Sequence, residues 1–231
     1  MKKKGRLQNL NLLLCLSFIL MMASLCLIFI YAPDVKGTGV EQRIFYFHVP
    51  IAIASYLAFL IIFISSILFI RNRDMKWDRL ARSSAEIGLI FTTLVLITGP
   101  IWAKPAWETW WNWEPRLTTS LILWFIYIAY LMVHSLAMEE NRGALFAAVV
   151  GIVGFIDVPI NYLTIHLWKS TETSVEHPAL TSIDASILFI LIVCMLAVIL
   201  LFIVLLIYRV SLGQMETEIE DARIILEEKE R

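Results

Sequence analysis

Residues 185–208 read ASILFILIVCMLAVILLFIVLLIY, twenty-four positions without one charged side chain. About 20 mostly apolar residues make a helix long enough to cross the hydrocarbon core of a bilayer, and in lipid only a helix or a closed barrel satisfies its own backbone. Extended to about 183–208, the stretch predicts a spanning helix. Five more such runs precede it, at about 10–31, 48–70, 84–103, 118–138 and 144–165. The third is weakened by Glu86, Thr92, Thr93 and Thr98, and the fifth by Gly151, Gly154, Asp157 and Pro159. The predicted fold class is an all-α integral membrane protein, one domain over 1–231 with six transmembrane helices.

Composition agrees. The chain has 231 residues, 59% hydrophobic and 17% charged, with a mean hydropathy of +0.77; soluble domains carry about 25% charged residues. A net charge of −1 excludes a strongly basic nucleic-acid binder. Cys15, Cys26 and Cys194 stand singly, and without CxxC or CxxCH there is neither a thioredoxin-type site nor covalent haem attachment. Lys2, Lys3, Lys4 and Arg6 precede the first run as they would a signal peptide. That run is too long for a signal h-region and lacks an A-x-A-like site, so it reads as an uncleaved first span.

Orientation follows from the basic residues. The N-terminus, the segment 71–83, Arg142 and the segment from Arg209 onward carry 14 of the 19 Lys and Arg; Lys36, Arg43, Lys104, Arg116 and Lys169 are the other five. Both termini are expected in the cytoplasm. His48, His166, His177 and the segment 102–116 then lie on the outer side, and His134 near the inner face. Pro50 suits the first turn of the second span.

Five of the eight Trp fall within residues 102–113, and the stretch 107–118 reads WETWWNWEPRLT. An interfacial aromatic belt spreads its indoles over many loops at both surfaces, whereas this cluster occupies one loop. Pro105 and Pro115 bracket nine residues, enough for two helical turns lying on the surface, where Trp107, Trp110, Trp111 and Glu114 would share one face. A shelf of indoles suits a large, flat, apolar ligand, and the belt stays open beside that reading. Imidazole beside a flat aromatic surface is what haem requires. Arg116 offers a forked contact to a propionate; Lys104 and Arg43 suit either that role or headgroup contact. Asp157 is a functional group or a packing residue beside the Pro159 kink. Glu86 reads as a helix N-terminal charge.

These residues resemble the tryptophan-rich WWD-motif family of haem-handling proteins in cytochrome c biogenesis, and within it haem exporter protein C (CcmC). The likeness covers nearly the whole chain: six spans, Arg-Ile-Phe-Tyr-Phe-His-Val-Pro at 43–50, the tryptophan segment ending Arg116-Leu117-Thr118, and Val158-Pro159-Ile160-Asn161 before the last outer loop. The resemblance implies a haem-binding, haem-transfer protein of the bacterial-type inner membrane, doing no bond chemistry with its side chains. It implies transient, non-covalent binding of haem b at the periplasmic face and delivery to a membrane-anchored CcmE-like haem chaperone, beside CcmA-like ATPase and CcmB-like permease subunits of an ABC-type complex. His48 and His177 match the family's axial haem ligands, with His166 a competitor. Trp107, Trp110, Trp111, Trp113 and Glu114 form the haem and chaperone platform, and Arg116 is the propionate contact. Two positions depart from the pattern, which has Gly after the first Trp and Asp after the last: here they are Glu108 and Glu114. The larger relatives that complete haem attachment have more spans than 231 residues allow.

Two other classes make different demands on the sequence. A transporter moving substrate through the bundle predicts polar residues at mid-depth in several spans, and apart from Asp157 and a few Thr these spans look bare. A dihaem b-type oxidoreductase needs histidine pairs on both sides, and the inner side has only His134. Residues 212–231 place Leu212, Met215, Ile219, Ala222 and Leu226 at helical spacing, with seven acids and three bases from Gln214 onward. They read as a solvated continuation of the sixth span or as a seam for a partner helix.

Overall fold

The computed structural model describes residues 2–33, 40–136, 140–167 and 184–229; at 2–9, 106–107, 140–141 and 165–167 it describes the backbone alone. Among the described residues the fold is all-helical: α1 (Lys2–Cys26), α2 (Phe45–Asn72), α3 (Met75–Trp107), α4 (Pro115–Leu136), α5 (Glu140–Gly154), α6 (Asp157–Leu167) and α7 (Ala185–Lys229). A π-helical turn, Leu27–Tyr31, extends α1, and a 3-10 turn, Val40–Ile44, leads into α2. Six helical stretches are long and apolar enough to cross a membrane, α5 and α6 counting as one. The fold class is as the hydrophobic runs imply.

Short-range chemistry explains the joints. Arg73 adopts a left-handed φ of 55°, its N–H returns to the Phe69 carbonyl at 2.8 Å, and the Asp74 carboxylate accepts from the Lys76 N–H at 2.9 Å as the N-cap of α3. This two-residue joint folds α3 back along α2, the most extensive helix pairing. The pair is close: a Cβ at Gly88 would stand 2.9 Å from the Ala58 Cβ and 3.1 Å from the Phe59 ring. Phe59 in turn stacks on Tyr127 of α4 at 4.0 Å.

Between α5 and α6 the chain breaks at residues 155–156. Pro159 has no N–H for the Phe155 carbonyl, which instead accepts from the Val158 N–H at 3.1 Å. Asp157 therefore opens a new helix inside the fifth span, which runs from Arg142 to Thr164. Pro50 is the sixth residue of α2, not in its first turn, because the helix starts at Phe45.

Glu86 is likewise not an N-terminal charge. Since α3 starts at Met75, Glu86 lies in its interior and pairs with Arg209 of α7, the second guanidinium bond being 2.9 Å, and with Arg82 at 3.4 Å. α7 continues unbroken to Lys229; 45 residues at 1.5 Å each give about 68 Å, more than twice the hydrocarbon thickness. Leu212, Met215, Ile219 and Leu226 are exposed on it.

Candidate functional site

The end of the bundle opposite the termini gathers the start of α2, the end of α3, the tryptophan segment and the start of α4. His48 lies in the first turns of α2 with its Nδ1 2.8 Å from Thr98 Oγ1 of α3. The Thr98 hydroxyl gives its own hydrogen to the Leu94 carbonyl at 2.7 Å, so Thr98 is the acceptor and His48 Nδ1–H the donor. That network assigns the tautomer with the lone pair on Nε2. The His48 ring lies 6.1 Å from that of Trp102, which is buried and packs 5.8 Å from Phe45. A Cβ at Gly99 would come within 3.4 Å of His48 Cε1. A recess of about 300 Å³ is lined by Phe29, Val40, Ile44, Phe47, Glu41 and Arg43, around the turn that leads into α2.

The surface helix expected between the two prolines does not form. α3 runs through Pro105 to Trp107 and stops where Glu108 turns left-handed, φ 59°, with its carbonyl accepting from Lys104 Nζ at 2.8 Å. Residues 108–114 are non-helical, and Trp113 is left-handed too, φ 50°. The three-and-four spacing therefore puts no indoles on a common helical face. Instead Trp111, half-buried, meets Trp113 edge-on at 5.6 Å, while Trp110 and Trp113 are 57% and 69% exposed. The Trp107 side chain is outside the described residues. Glu114 accepts from the Asn112 amide and stands 4.0 Å from the Arg116 guanidinium. Lys104 thus holds the Glu108 turn, Arg43 lines the recess, and Arg116 faces Glu114.

Sequence reasoning gave Asn161 and Thr98 no role of their own. Asn161, 1% exposed on α6, donates to the Arg116 carbonyl at 3.0 Å, Thr119 Oγ1 at 2.6 Å and Ser120 Oγ at 2.9 Å, and accepts from the Tyr56 hydroxyl. It ties α6 and α2 to the first turn of α4, directly after the tryptophan segment. An amide two residues past a proline in an apolar span is the signal that marks it. His177 and the whole of 168–183 lie outside the described residues, and at His166 only the backbone is described.

The interior is also less bare than the runs suggest. Hydroxyls of Tyr127, Tyr130, Ser66 and Ser84 are buried without a hydrogen-bond partner among the described residues, as is Asp157 Oδ2. Tyrosine counts as apolar in a hydropathy reading, which is why this polarity was hidden. At the end carrying the termini, His134 Nε2 meets the Asp78 carboxylate at 2.9 and 3.1 Å in a nearly buried pair.

Residues 4–225 match the family model described as "Heme exporter protein C". The chain belongs to that family. Its relatives include a "Heme exporter protein C" of Bradyrhizobium diazoefficiens, 34% identical over 195 residues, covering 84% of this chain and 72% of the relative. One of the same name from Haemophilus influenzae is 33% identical over 198 residues, covering 84% and 78%. A "Putative cytochrome c biosynthesis ccmC-like mitochondrial protein" of Marchantia polymorpha is 34% identical over 139 residues, covering 60% and 58%. Within the haem exporter protein C match fall His48, the tryptophan segment, Asn161 and the α4 residues described above.

Proposed function

We propose that the chain binds haem b transiently at the extracytoplasmic face of a bacterial-type inner membrane and delivers it to a membrane-anchored, CcmE-like haem chaperone for c-type cytochrome biogenesis. CcmA-like ATPase and CcmB-like permease subunits are its proposed partners in an ABC-type complex. Family membership and the names carried by its relatives support this reading. The observation that carries it is the contact between His48 Nδ1 and Thr98 Oγ1: with the Thr98 hydrogen directed to Leu94, Nδ1–H donates to Thr98 and the lone pair stands on Nε2, as iron coordination requires.

His48 and His177 are the proposed axial ligands. Haem itself supplies the iron and a flat apolar face. The chain's part is to orient an imidazole, offer indole surface and release the cargo without making or breaking a covalent bond. Trp110 and Trp113, exposed beside the half-buried Trp111, are suited to cover the macrocycle or the chaperone, together with Trp107 and Glu114. Arg116 would meet a propionate, its guanidinium held beside Glu114.

Hand-over is tested by mixing haem-loaded protein with purified haem chaperone and following the haem absorption of each after separation. Wild type is expected to transfer its haem. The Trp110→Ala/Trp113→Ala variant is expected to load through the histidines yet transfer at least about tenfold more slowly. Haem that stays on the wild-type protein rejects delivery, and an unslowed double variant rejects the platform.

A further inference from the structure

The start of α4 reads Pro115-Arg116-Leu117-Thr118-Thr119-Ser120, and its side chains close back on the end of the tryptophan segment. Thr118 Oγ1 donates to the Trp113 carbonyl at 3.2 Å, and the Thr118 N–H to that of Glu114 at 2.9 Å. Thr119 Oγ1 donates to the Pro115 carbonyl and Ser120 Oγ to that of Arg116, each at 2.8 Å. Four consecutive carbonyls are fastened in this way. Each bond spans five residues or fewer, so together they make one piece of the segment's end and the first turns of α4. They do not place that piece on the bundle.

Placement comes from Asn161 of α6, which is 1% exposed. Its Nδ2 reaches the Arg116 carbonyl at 3.0 Å, Thr119 Oγ1 at 2.6 Å and Ser120 Oγ at 2.9 Å. The two hydroxyls have already directed their hydrogens to carbonyls, so α4 presents the amide with three acceptors. On the other side the Tyr56 hydroxyl of α2 donates to Asn161 Oδ1. Only one orientation of the amide satisfies both sides; turned over, its oxygen would face three acceptors. Tyr56 lies eight residues beyond His48, about 12 Å along the same helix. The amide therefore joins the tryptophan piece to the helix that carries His48. Stability alone gives little reason for it, since an apolar group of the same shape with apolar partners is nearly neutral by comparison. A fully satisfied buried network does fix one arrangement of the elements it joins.

We propose that Asn161 is a positioning residue: anchored to α2 by Tyr56, its amide sets where the tryptophan segment and Arg116 stand relative to His48. Its consequence for haem rests on the delivery reading above. With the amide gone, haem still loads through the histidines, but Trp110 and Trp113 no longer meet the chaperone in the right place.

Positioning is tested without haem, by fluorine NMR of full-length protein carrying 5-fluorotryptophan in detergent, each line assigned by a Trp→Phe variant. Trp111 and Trp113, edge-on at 5.6 Å, are expected to give separate lines displaced from free 5-fluorotryptophan by each other's ring. Asn161→Leu is expected to move both lines towards the free position. Trp77, at the end carrying the termini, and Trp124, bonded to Thr93 Oγ1 at 2.8 Å, are expected to hold theirs. Tyr56→Phe removes one oxygen and leaves the α4 side of the amide intact, and it is expected to move the same two lines by less. Trp111 and Trp113 lines unmoved in either variant overturn the proposal. So does a displacement shared by Trp77 and Trp124, which would mean a role in folding alone. In the hand-over assay both variants are expected to load as wild type does and Asn161→Leu to transfer at least about tenfold more slowly. Unslowed transfer with displaced lines overturns the link to delivery. A wild-type protein that transfers nothing rejects delivery itself, and the fluorine lines still decide the positioning.

Discussion

The hydroxyl of Thr98 has one hydrogen and gives it to Leu94, which makes it an acceptor for His48 and fixes which imidazole nitrogen keeps its lone pair. Replacing it by valine removes the acceptor at constant volume, and Thr98→Val is expected to weaken haem retention by about 10–100-fold, the usual effect of losing a ligand's outer hydrogen bond. Thr98→Ser is expected to retain it; haem titration of the two proteins checks the pair. Asn161 is expected to matter in a different way. Asn161→Leu leaves the buried Tyr56 hydroxyl without its acceptor, whereas Thr119 and Ser120 keep their own bonds to the Pro115 and Arg116 carbonyls. Its expected cost is about 1–3 kcal/mol for the one buried group left unsatisfied, read from thermal unfolding in detergent. His48 was legible from its place before a span and near the indoles. Thr98 was not, since its role depends on the register of α3 against α2, which hydrophobic periodicity leaves undetermined.

Helix existence was legible; helix joints were less so. The six apolar runs had to be helical because lipid offers backbone groups no partner, and six such helical stretches are present among the described residues, α5 and α6 forming one of them. The tryptophan segment misled, because two flanking prolines and a three-and-four pattern suit a helix as well as a folded-back loop. What decides is local: Glu108 turns left-handed and Lys104 clamps its carbonyl. The α5–α6 break follows from Pro159, yet only the structure makes Asp157 the first residue of a new helix instead of a charge within an old one. Close packing of α2 on α3 gives an expectation for Gly88. Its Cβ would meet Ala58, a side chain with no freedom to move aside, so Gly88→Val is expected to destabilise by about 1–3 kcal/mol through overpacking. A melting temperature unchanged from wild type would contradict that account of the α2–α3 contact.

Across the bundle the two ends are built differently. The end carrying the termini is laced by charge, Glu86 joining α3 to Arg209 of α7 and Asp78 joining α3 to His134 of α4. A partner removed from a nearly buried pair leaves the other group without compensation, so His134→Leu is expected to cost about 3–5 kcal/mol. The double variant His134→Leu/Asp78→Leu is expected to unfold at a higher temperature than His134→Leu alone, since no buried charge is then stranded. The opposite end is built from indoles, a histidine of fixed tautomer and an amide hub, and it is there that the haem reading stands or fails. Its most direct test is the absorption spectrum of the purified protein after exposure to haem. Wild type is expected to show a Soret band that the His48→Ala/His177→Ala variant loses; no Soret band in wild type, or an unchanged band in the double variant, would contradict histidine-held haem at this site.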